Sequence, residues 1–76
     1  MNEQEVITEL IEEKIATLQH KVADARATIE LYKNWQDGSP QQQRSRKRSF
    51  ENNSKILNDL EKKLLVFKKI LRGYQT

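Results

Sequence analysis

A chain of 76 residues with no cysteine and one histidine forms no disulfide and no thiolate metal site, and can bury only a small core. One third of the residues are charged, against two glycines and one proline. That composition excludes collagen-like and disulfide-rich chains and suits long helices with a solvated face. The net charge of +3 is unevenly divided. Residues 1–37 carry eight acids against four bases, a net −4, and residues 38–76 carry ten bases against three acids, a net +7.

The first thirteen residues are acidic and lack the basic start and apolar stretch of a signal peptide. No apolar run approaches membrane-spanning length, so the expected location is cytoplasmic. Apolar residues then recur at alternating steps of four and three: Ile11, Ile15, Leu18, Val22, Ala25, Ile29 and Tyr32. This is the seam of a left-handed coiled coil, with no strand-like alternation. The spacing predicts a first helix over about residues 3–37.

The punctuation that follows is compact. Gly38 can take the positive φ that ends a helix. Ser39 is a good N-cap, Pro40 a favoured first helical residue, and Gln42 completes a capping-box pattern. The turn is therefore expected at 38–39.

A second helix is predicted over about 40–72, with its seam at Phe50, Asn53, Leu57, Leu60, Leu64, Phe67, Leu71 and Tyr74. Before Phe50 the seam positions fall on Gln43 and Arg46, which leaves open a frayed or solvated start to this helix over 41–49. A turn this short forces the helices antiparallel. The expected fold is all-α: a coiled-coil-like antiparallel two-helix hairpin, one domain over residues 1–76. Residue i then lies opposite roughly residue 77 − i. That register sets Glu5 against Arg72, Glu9 against Lys68 and Lys69, and Glu12 and Glu13 near Lys62 and Lys63.

At 100° per residue, Val6, Leu10 and Trp35 lie to one side of the first seam, and Ile56, Val66 and Ile70 to the corresponding side of the second, with Ile7 adding to the apolar surface near the free termini. In antiparallel right-handed helices those two sides form one face. A small protein without disulfide or metal needs that apolar face covered. The simplest cover is a second copy, giving a two-fold four-helix bundle; a helix of another protein is the other. The expected function is that of a non-enzymatic scaffold or regulatory hairpin acting through self-association and protein–protein contacts.

The dense cationic run Arg44, Arg46, Lys47 and Arg48 supplies the alternative. Arginine forks suit phosphates, Tyr32 and Trp35 offer stacking surfaces, and the lysines further along add charge. A nucleic-acid-binding accessory role would use them. In the plainer reading the arginines simply cover Tyr32 and Trp35 by cation–π contact. The basic amphipathic stretch Lys62 to Arg72 has an acidic partner in the first helix, so membrane binding is not expected. His20 has one carboxylate in reach, Asp24, and Glu12 and Glu13 diverge on a convex surface. With no glycine-rich phosphate loop and no nucleophile beside a base, no enzymatic activity, metal or cofactor is expected.

Overall fold

The computed structural model describes residues 1–35 and 37–75, which form two helices and no strand: α1, Glu3–Asn34, and α2, Pro40–Gln75. The helix α1 begins at a cap absent from the sequence reading. The Asn2 side-chain oxygen accepts from the Glu5 backbone N–H at 2.8 Å, and Glu3 and Glu5 place negative charge at the positive end of the helix dipole.

α1 stops at Asn34, short of the expected Asp37. Trp35 leaves the helix at φ −94° and ψ 104°, Gln36 lies outside the described residues, and Asp37 is not helical. A tertiary contact competes with helix propagation here: the Trp35 carbonyl accepts from the Arg46 guanidinium of α2 at 3.1 Å. Gly38 adopts positive φ, at +121°. It does not terminate α1, however; it turns the chain into the N-cap of α2.

The capping box forms in both directions. Ser39 Oγ accepts from the Gln42 N–H at 3.2 Å, and Gln42 Oε1 accepts from the Ser39 N–H at 3.0 Å. Gln43 Nε2 also donates to the Gly38 carbonyl at 3.1 Å. α2 is helical from Pro40 onward, through the stretch 41–49. Gln43 and Arg46, the polar seam positions that suggested fraying, are the residues that close the turn.

α2 also outruns its expected end near Arg72 and continues to Gln75. Gly73 keeps a negative φ within it. Gln4 of α1 donates through Nε2 to the Tyr74 carbonyl at 3.0 Å. That bond satisfies one of the carbonyls a helix C-terminus leaves open and ties the two free ends together.

The hairpin is a single layer of two antiparallel helices, 59 × 16 × 14 Å. Contacts between Gln4 and Tyr74, Arg26 and Glu61, and Trp35 and Arg46 mark its direction from the free ends to the turn. The α1 seam is buried at Ile11, Ile15, Leu18, Val22 and Ala25, with Leu18 at 2 % exposure. The facing residues of α2, from Phe50 through Leu71, are half-buried, and Tyr74 is exposed. Asn53 sits in this seam with its amide donated to the Ser49 carbonyl of its own helix at 2.8 Å, so it adds no unsatisfied buried group.

The expected acid–base pairs near the free ends do not form. Among the described residues the one ion pair between the helices is Arg26 with Glu61, at 2.9 Å. Side chains on a helix lean toward its N-terminus. In this hairpin those of α1 lean toward the free ends and those of α2 toward the turn. In the expected register Arg26 lies opposite residue 51, yet it pairs with Glu61, so the helices are offset from that register and the expected pairs near the free ends are not aligned. A pair converges only when the α2 member lies further toward the free ends, as Glu61 does relative to Arg26. Both partners are largely exposed, which limits the pair to about 0–1 kcal/mol.

Candidate interaction surface

The apolar face divides into two parts. At the free ends Val6 and Leu10 of α1, and Val66 and Ile70 of α2, are 40, 58, 54 and 41 % exposed. Leu10 and Ile70 occupy nearly the same level of the hairpin, as the nearby Gln4–Tyr74 contact requires. Ile7, also assigned to this face, is half-buried. Ile56 lies midway along α2 and Trp35 at the turn, both exposed. Leu31 and Leu65 are comparably exposed, and the sequence assigned neither to this face. Leu65 projects from the opposite flank of α2, and isolated apolar residues of that kind are ordinary on a soluble surface.

The turn end holds a different chemistry. The Arg46 guanidinium lies 4.6 Å from the centroid of the Trp35 ring, as the cation–π alternative anticipated. Beside it an open groove of about 360 Å³ is lined by Tyr32, Trp35 and Phe50 together with Lys33, Arg46 and Lys47. The basic run is thus split by helical geometry. Arg46 turns inward onto Trp35, Lys47 borders the aromatic groove, and Arg44 and Arg48 share a shallow outer surface with Gln41 and Ser45. Lys33, from α1, joins the basic cluster although the sequence offered no signal for it, because only the turn brings it there.

His20 and Asp24 stand 3.9 Å apart on the exposed side of α1, both largely in solvent. Among the described residues no group of three His, Cys, Asp or Glu side chains converges as a metal site, and no helix is long and apolar enough to cross a membrane. The site chemistry defined by this fold is that of a hairpin surface, apolar at the free ends and aromatic-cationic at the turn. Comparison of the chain with protein-family models, curated proteins and solved structures returned no match.

Proposed function

We propose that this hairpin is a cytoplasmic interaction protein that self-associates through the face carrying Val6, Leu10, Ile56, Val66 and Ile70, forming a two-fold four-helix bundle that acts on other proteins by contact rather than catalysis. The supporting observation is the cluster of four exposed aliphatic side chains at the free ends, on a chain whose buried core is five residues among those described. So small a core is marginal on its own, and covering this cluster is the nearest source of further stability. Light scattering is expected to give twice the 9.0 kDa chain mass at micromolar concentration. Melting temperature should rise with concentration, since a bound partner stabilises the folded state by mass action. A concentration-independent monomer would sink this reading.

The aromatic-cationic groove favours a second reading, in which the turn binds single-stranded nucleic acid by stacking and phosphate contact. The inward commitment of Arg46 weakens it, because that guanidinium is already engaged by Trp35. Titration with an oligonucleotide at several salt concentrations separates the two. Nucleic-acid binding should weaken steeply with salt and be reduced by Arg44→Gln, Lys47→Gln and Arg48→Gln together, which should leave the assembly mass unchanged.

A further inference from the structure

We propose that the groove at the turn is a docking site for an acidic segment of another protein carrying one apolar anchor residue; this rests on the reading that the hairpin acts on other proteins by contact, and not on its self-association. The groove joins an aromatic floor to a cationic border. Tyr32 and Phe50, at the turn ends of the two seams, form the floor with Trp35, where the chain leaves α1. Lys33 borders it from α1, and Arg46 and Lys47 from α2. Among the described residues no Asp or Glu lines it. Like charges gathered at one cleft raise the local concentration of anions. The surrounding acids do not cancel them, because residues 30–51 hold five bases against Glu30, Asp37 and Glu51. Lys33 and Lys47 are exposed, and among the described residues neither belongs to an ion pair.

The rings select the kind of anion. Successive bases need open ring faces on which to stack. Tyr32 and Phe50 are half-buried, and the Arg46 guanidinium sits over Trp35, 4.6 Å from its centroid. That leaves no run of open faces. An aliphatic or aromatic side chain needs only apolar surface to bury, which the ring edges and the 53 % exposed indole supply. The groove's volume of about 360 Å³ lies at the small end of ligand clefts, roughly 300–1,000 Å³, and suits one anchoring side chain with its flanking backbone. Arg46 already donates to the Trp35 carbonyl and so belongs to the floor. Lys33 and Lys47, one on each helix, are left to meet carboxylates on either side of the anchor. An ammonium on a flexible stem pairs with a carboxylate without a fixed fork geometry, which fits a segment read by its charge and one apolar residue.

The probe is a blocked oligoglutamate peptide with one central phenylalanine and a fluorophore at its end. Its anisotropy is measured against the full-length hairpin, and Trp35, the only tryptophan, reports the place of contact. The expected result is saturable binding that weakens with salt and moves Trp35 emission to shorter wavelength. Lys33→Gln with Lys47→Gln should weaken binding roughly tenfold. Lys62→Gln with Lys63→Gln makes the same change in charge on an exposed stretch of α2 away from the turn. It should alter binding by no more than about twofold, since charges beyond a Debye length are screened. All four side chains are exposed, so helix content by circular dichroism should be unchanged in both variants. A peptide with glutamate in place of the phenylalanine should bind about tenfold more weakly, from the apolar burial it loses.

Equal losses in the two double variants, or equal binding without the phenylalanine, would overturn the site by reducing it to general attraction between opposite charges. Absence of peptide binding would overturn it as well. So would tighter binding of an oligothymidylate of equal charge, in favour of the nucleic-acid reading. Light scattering on the same samples reads self-association separately: a monomer that binds the peptide removes the bundle and keeps the groove.

Discussion

Arg46 and Trp35 hold the hairpin closed at the turn: the guanidinium lies 4.6 Å from the indole centroid and donates to the Trp35 carbonyl at 3.1 Å. One side chain therefore covers the ring and satisfies a carbonyl left free where α1 stops. Trp35 is the only tryptophan in the chain, so its fluorescence reports this contact directly. Arg46→Ala is expected to shift the emission to longer wavelength and to cost about 1–2 kcal/mol in chemical denaturation. Arg46→Lys should recover little, because a single ammonium cannot present a planar fork to ring and carbonyl together. Unchanged emission in both variants would remove Arg46 from the turn.

The capping box predicts a coupled pair. Ser39→Ala and Gln42→Ala should each lower stability by about 0.5–2 kcal/mol. The double variant should cost less than the two single losses combined, since each side chain serves the other residue's N–H. Strict additivity in a denaturation cycle would show that the two bonds act separately.

The two glycines should respond with opposite sign. At Gly38, with φ +121°, an added Cβ collides with the Arg46 guanidinium and comes within 2.6 Å of Gln42 Oε1. Gly38→Ala is therefore expected to destabilise by about 1–2 kcal/mol, from backbone strain and displacement of the turn contacts. Gly73 lies inside α2 at negative φ, and a Cβ there meets nothing within 4 Å. Gly73→Ala should stabilise by about 0.5–1 kcal/mol by lowering the entropy of the unfolded chain. Thermal melts at one fixed protein concentration make the comparison, and a shared sign would contradict the backbone argument.

Two leucines test the seam in the same way. Leu18 is 2 % exposed in the centre of the α1 seam, and Leu65 is 56 % exposed on the outer flank of α2. Leu18→Ala should cost about 2–5 kcal/mol, enough to unfold a domain this small. Leu65→Ala should stay within about 0.5 kcal/mol. Circular dichroism on both variants reads the difference, and equal melts would mean the buried stripe is misplaced.

The residues of this chain determine its helices, its seams and its turn by local rules. Apolar steps of four and three leave one stripe on each helix, and the stripe read from sequence on α1, Ile11 to Ala25, is the buried one. Gly38, Ser39 and Gln42 act over five consecutive positions, so their roles are legible without a fold. What depended on tertiary structure is everything set by the relation between the helices. Trp35 leaves α1 beside a guanidinium eleven residues away, and α2 passes Arg72 with Gln4 bonded to the Tyr74 carbonyl. Axial offset and the direction in which side chains lean decide the ion pairs: Arg26 meets Glu61, while the pairs expected near the free ends do not form. Periodicity reports which face a residue occupies. It carries no information on the axial offset between two helices, nor on which of four neighbouring cations folds back onto a ring. Those are settled by side-chain reach and by the competition of tertiary hydrogen bonds with the local helix.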